Sequence, residues 1–81
     1  MIDARPFGYG QYSILPRIWP APANRYQSSF TIHKIEPGSE IARLTLVYEE
    51  RRDRGMLCET ALEAEHDARE RAVRWIEQQA G

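Results

Sequence analysis

Only a few side chains in this 81-residue chain are of types that do chemistry, and their spacing is uncommitted. Cys58 stands two residues before a predicted helix start, where a helix N-terminus can lower a thiol pKa. His66 follows about a turn and a half into that helix, so a Cys–His nucleophile pair is the one enzymatic arrangement the sequence allows. The neighbouring Glu59 opposes it by favouring the neutral thiol. The soft metal ligands are Cys58, His33 and His66, without the paired spacings of zinc sites. Gly8 and Gly10 precede a strand rather than opening a helix, so they build no phosphate loop. No serine sits in a nucleophile-elbow context. The expectation is therefore no catalytic residue, no metal and no cofactor, with the Cys58/His66 enzyme as the last-ranked reading.

The elements that would position these residues follow from periodicity. Residues 1–8 read as a loosely ordered lead-in broken by Pro6 and Gly8. Residues 9–19 read as a first strand with Tyr12, Ile14 and Ile18 on one side and Leu15 and Trp19 on the other. Pro16 restricts that strand to an edge or a bulge, because proline donates nothing to a ladder. Residues 20–24, Pro-Ala-Pro-Ala-Asn, form a loop. Residues 26–35 alternate again, with Tyr26, Phe30 and Ile32 opposed to Gln27, Ser29, Thr31 and His33. Glu36-Pro37-Gly38-Ser39 has the composition of a type II turn. The third strand, 41–49, places Leu44, Leu46 and Tyr48 on one face and Arg43, Thr45 and Val47 on the other. Residues 49–55 are a charged connection.

Thr60-Ala61-Leu62-Glu63 is a capping box, and it predicts a helix from residue 60 to about 79. Its apolar stripe is Ala61, Ala64, Ala68, Ala72, Trp75 and Ile76, flanked by Val73. The opposite face carries Glu65–Arg69, Asp67–Arg71 and Glu70–Arg74 at i,i+4 spacing with the acid first. That run reads as a solvated face.

These pieces predict one α+β domain over residues 1–81: a three-stranded antiparallel meander with one C-terminal helix packed on one face. Ile14, Ile18, Phe30, Ile32, Leu44 and Leu46 are expected to meet the helix. One helix covers one face of such a sheet. The uncovered face is expected to present Leu15, Arg17, Trp19, His33, Arg43 and Val47, and it is the expected partner face.

Composition narrows the partner. Net charge is −1, so no global field draws the chain to nucleic acid or an anionic membrane. Basic residues number eleven, and all but Lys34 are arginine. No apolar run approaches the roughly 20 residues that span a bilayer. The N-terminus lacks the basic and apolar regions of a signal peptide, and one cysteine closes no intramolecular disulfide, so the expected compartment is the cytoplasm.

The order strand, proline-bearing loop, strand, Pro-Gly turn, strand, alanine-rich helix ending Ala72-Val73-Arg74-Trp75-Ile76-Glu77 resembles small bacterial βββα proteins of unknown function. It is also similar to the last four elements of the double-stranded-RNA-binding fold. That family carries a further first helix and a lysine cluster at the start of its last helix. Here Glu59, Glu63 and Glu65 occupy that region, so the resemblance transfers no functional residue. The leading expectation is a non-enzymatic interaction or accessory domain that binds another protein or forms a homodimer. The alternative is a nucleic-acid module using Arg17, Trp19, Arg43 and the Arg51, Arg52, Arg54 loop.

Overall fold

A computed structural model describes residues 2–38, 43–51 and 55–80. It contains β1 (Ile2–Asp3), β2 (Phe7–Tyr9), β3 (Tyr12–Ala21), β4 (Arg25–Glu36), β5 (Arg43–Glu49) and the helix α1 (Ala61–Ala80). The strands pair antiparallel in the order β1–β3–β4–β5, and β2 also pairs with β3. The chain is thus α+β with one C-terminal helix, as expected. Its sheet is wider than the three strands expected, because the lead-in adds two short strands to the outer edge of β3. Ile2 pairs with Ile18, and Phe7 with Ile14. Segments of two or three residues are too short to carry a readable period.

The hairpin between β2 and β3 turns on Gly10, whose φ of 59° suits the first central position of a type II′ turn. Pro16 and Pro20 both lie inside β3, opposite Phe30 and Tyr26. The predicted loop at 20–24 therefore shrinks to Pro22-Ala23-Asn24, where Ala23 and Asn24 take positive φ of 63° and 56°. The ladder tolerates both prolines because of where their nitrogens point. The Ala4 amide donates to the Pro16 carbonyl at 3.4 Å across the outer edge. Backbone polar groups alternate sides along a strand, so Pro16 and Pro20 direct their missing donors outward, away from β4.

Helix α1 lies over β3 and β4. Ile14, Phe30 and Ile32 pack against Ala68, Ala72 and Ile76. A second cluster joins Ile18, Cys58 and Ala64. The alanines let the helix backbone approach the sheet closely. Trp75, expected on the buried stripe, is half-buried and stacks on Tyr48 at 4.9 Å. At the other flank, Phe7 is half-buried under the Arg69 guanidinium, 4.8 Å from the ring centroid. The Tyr9 hydroxyl donates to Glu77 Oε1 at 3.1 Å. That hydrogen bond, with the carboxylate charge behind it, raises the phenol pKa above its ordinary value.

The predicted faces of the third strand do not hold. Ile32 pairs with Tyr48, but His33 pairs with Leu46, so a β-bulge at Val47 interrupts the register. Beyond it, Leu44 and Leu46 lie opposite Ile35 and His33, on the face away from the helix. Arg43 and Thr45 lie opposite Glu36 and Lys34, on the helix side. Leu44 and Leu46 are 57% and 53% exposed and are not core residues. The physical reason is the period of two: one inserted residue sends every side chain beyond it to the other face. The turn expected at 36–39 and the strand start at 41–42 extend outside the described residues.

The connection from β5 to α1 returns along β4. Tyr26 and Cys58 exchange two backbone hydrogen bonds of 2.8 Å. Gln27 Nε2 donates to the Gly55 carbonyl at 3.0 Å. Gly55 is buried so tightly against β4 that an added Cβ would meet the Ser28 carbonyl oxygen at 2.1 Å. Gly55→Ala should therefore destabilise the domain by ~1–3 kcal/mol through overpacking. An unshifted urea midpoint would mean that this segment moves aside at little cost. The helix start is as expected: the Glu63 amide donates to Thr60 Oγ1 at 3.1 Å. Thr60→Ala should lower stability by ~0.5–2 kcal/mol, read from the same denaturation curve.

Candidate interaction surface

The sheet face opposite α1 is built from alternate residues of three strands. β3 contributes Ser13, Leu15, Arg17 and Trp19, which pair with His33, Thr31, Ser29 and Gln27 of β4. β5 contributes Leu44 and Leu46 before the bulge and Glu49 after it. Of the residues expected here, Leu15, Arg17, Trp19 and His33 share this face. Val47 is the unpaired bulge residue, 39% exposed. Arg43 is on the helix side and leaves the set.

The two halves of this face differ. At the β3 end it closes over itself. Trp19 is half-buried, and its indole N–H donates to Ser29 Oγ at 3.3 Å. Arg17 lies 3.6 Å from Glu49, reaching across β4. Ser29 and Thr31, beneath these side chains, are buried at 4% and 2% exposure. At the β5 end the roof is missing: Leu44 and Leu46 stand opposite half-buried Ile35 and His33. Leu44 and Leu46 read as core residues only if alternation runs unbroken through 41–49. The signal against that was the run Leu46-Val47-Tyr48, three apolar residues where alternation allows no such run.

A buried ion cluster fixes the strand end that carries the bulge. Arg71 Nε and Nη2 donate to Glu50 Oε2 and Oε1 at 3.1 and 2.7 Å. Nη2 also reaches the Ser28 carbonyl at 3.1 Å. Nη1 donates to Asp67 Oδ2. The Arg71, Glu50 and Asp67 side chains are only 17%, 8% and 16% exposed. The pair Asp67–Arg71 therefore belongs to the helix–sheet seam, against the expectation of a solvated face. The guanidinium is held by β4 and by the residue after β5, and it reaches both because Arg71 flanks the alanine stripe. The remaining charges of the helix behave as expected only in part. Glu65 pairs with Arg69 at 3.0 Å. Glu70 takes His66 at 2.9 Å, and Arg74 Nε donates to the Glu70 backbone carbonyl.

The catalytic alternative gains no geometry. Cys58 is buried and its Sγ lies 3.7 Å from the Met56 carbonyl. His66 is exposed and engaged with Glu70. Among the described residues no group of three or more His, Cys, Asp or Glu could hold a metal ion. Arg51 is exposed, and Arg52 and Arg54 lie outside the described residues. A second exposed apolar patch, Met56, Leu57 and Leu62, flanks the helix start at 65%, 52% and 74% exposure. No described helix is long and apolar enough to cross a membrane.

No family model, curated protein or solved structure matches the chain.

Arg71→Ala should destabilise the domain by ~3–5 kcal/mol, because Glu50 is left buried without its counter-charge. Arg71→Lys should recover only part of this, since an ammonium cannot make the bidentate contact. Urea midpoints of the two variants within error of the parent would show that the cluster is dispensable.

Proposed function

We propose that this chain is a non-enzymatic protein-interaction domain whose partner docks on the β5 end of the open sheet face. The observation that carries the reading is the pair Leu44 and Leu46, both more than half exposed on one strand and opposite Ile35 and His33. Single exposed apolar residues are ordinary, but a contiguous set on a rigid sheet marks an interaction site. The rim is polar, supplied by His33 and the Arg17–Glu49 pair. The lone thiol, Cys58, is free and buried, which suits a reducing cytoplasm.

Nucleic acid fits this face less well. Its aromatic group, Trp19, is half-buried and hydrogen-bonded to Ser29, and Arg17 is paired with Glu49. A stacking platform needs an open ring beside uncompensated positive charge. The net charge of −1 supplies no background attraction.

In-cell photo-cross-linking tests the reading. A photoreactive p-benzoylphenylalanine replacing Leu46 is expected to give a discrete protein adduct that Leu44→Lys abolishes. The same group replacing Leu62 is expected to give none. Adducts from position 62 alone would move the site to the helix start. Nuclease-sensitive adducts at position 46 would favour the nucleic-acid reading.

A further inference from the structure

We propose that the partner at this end of the sheet is a second copy of the chain, joined along the β5 edge by antiparallel pairing of β5 with β5 about a two-fold axis at Thr45. The proposal rests on the interaction reading above and adds the partner and its register.

Hydrogen-bond parity comes first. The Glu50 amide donates to the Phe30 carbonyl at 2.9 Å, and Tyr26 exchanges bonds with Cys58 on the same side of β4. Even-numbered residues of β4 therefore turn their backbone polar groups toward β5. Lys34–Thr45 and Glu36–Arg43 are then the bonded pairs of that ladder. Arg43 and Thr45 spend their amides inward. Leu44 and Leu46 turn theirs outward, to an edge that no described residue pairs with. The residues with the exposed apolar side chains are thus the ones whose backbone donors and acceptors meet no described residue.

Symmetry then selects the register. Directly opposed residues in a sheet share a face, so a two-fold axis must pass through a residue, never between two. An axis at Leu46 sets Leu44 against Tyr48 of the second copy, which points to the other face beyond the bulge. An axis at Leu44 sets Leu46 opposite a position before Arg43, outside the described residues, and leaves Leu44 opposed only to itself. An axis at Thr45 sets Leu44 against Leu46 of the second copy and the reverse. All four leucines then cluster on one face, and each Leu pair exchanges both backbone hydrogen bonds.

The assembly closes. Such an isologous contact consumes the β5 edge of both copies. The other edge of the sheet is blunted by Pro16 and Pro20, whose nitrogens face outward, and by the two short strands laid along it. Both helices fall on one side of a continuous sheet, and the two open faces merge on the other. The contact is short, so the association is weak, and the concentrations that test it run from roughly micromolar to millimolar.

Sedimentation equilibrium of the full chain over that range is the test, combined with cysteine cross-linking. Thr45 stands opposite itself in a non-hydrogen-bonded pair, where Cα atoms lie about 4.5 Å apart, within the span of a disulfide. Thr45→Cys is expected to give a covalent dimer on mild oxidation, and Leu62→Cys none. Leu44→Pro removes only outward-facing donors and is expected to abolish the dimer while circular dichroism stays native. Leu46→Lys, at a position already half exposed, serves the same purpose if the proline variant misfolds. Trp19→Ser should leave the dimer intact. A chain that is monomeric throughout overturns the proposal, as does a dimer that survives Leu46→Lys. A monomer whose position 46 still cross-links a different protein would retain the interaction reading and remove the second copy.

Discussion

One guanidinium, closed between helix and sheet, holds the arrangement on which the open face depends. Arg71 binds the Glu50 carboxylate with two nitrogens and the Ser28 carbonyl with one of them, while Asp67 balances a third. All the carboxylate and guanidinium groups are largely removed from water. An ion pair so placed gains little net stability over an apolar substitute, but it is intolerant of misplacement. Its consequence is positional. Glu50 has to arrive on the helix side of the sheet, next to Ser28 and under residue 71 of the helix. That demand fixes which way the last residues of β5 point.

The bulge at Val47 lies between that demand and the rest of β5. After it, Tyr48 and Glu50 face the helix, where Tyr48 stacks on Trp75 and tilts against Phe30 at 5.7 Å. Before it, the parity is reversed, and Leu44 and Leu46 turn away from the helix. A single helix is about 10–12 Å across with its side chains, while strands lie about 4.8 Å apart. It spans β3 and β4 and reaches β5 only near its own C-terminal half. Leucines on the helix side of early β5 would have lain at the margin of that cover. The bulge puts Arg43 and Thr45 there, beside Glu36 and Lys34, and gathers the leucines with Ile35 on the opposite face.

Local signals in the sequence carried much of this fold. The Thr60 cap and the alanine stripe are short-range codes, and the helix lies where they place it. β3 and β4 alternate cleanly, and their faces follow. The lead-in was illegible because its pairing with β3 is tertiary: Phe7 is placed by Ile14 and by Arg69 above it, not by any period of its own. Arg71 was legible as an i,i+4 partner of Asp67 but not as the partner of Glu50, since nothing local relates residues 21 positions apart. The site suffered most. Four of its six expected residues lie on the open face, with Val47 in the bulge. Arg43 and the two leucines changed places because a face assignment is only as good as the unbroken period beneath it.

The two edges of the sheet show how the same backbone physics can forbid pairing on one side and leave it open on the other. Along β3, Pro16 and Pro20 withdraw donors from the outer edge, and β1, β2 and Ala4 pair with it at Ile18, at Tyr12 to Ile14 and at Pro16. Natural sheets usually blunt an edge in this manner, or twist it away with a bulge, to avoid uncontrolled association. β5 has the bulge, but it lies toward the C-terminal end of the strand. The stretch from Arg43 to Leu46 stays regular, and the side chains on its outward-bonding residues are leucines rather than lysines. A protective edge would carry charge at those two positions. Charge stands instead at the ends, at Arg43 on the helix side and at Glu49, which is held by Arg17. The exposed leucines and the outward backbone groups that no described residue meets therefore favour the same short antiparallel contact, and the bulge sets its length.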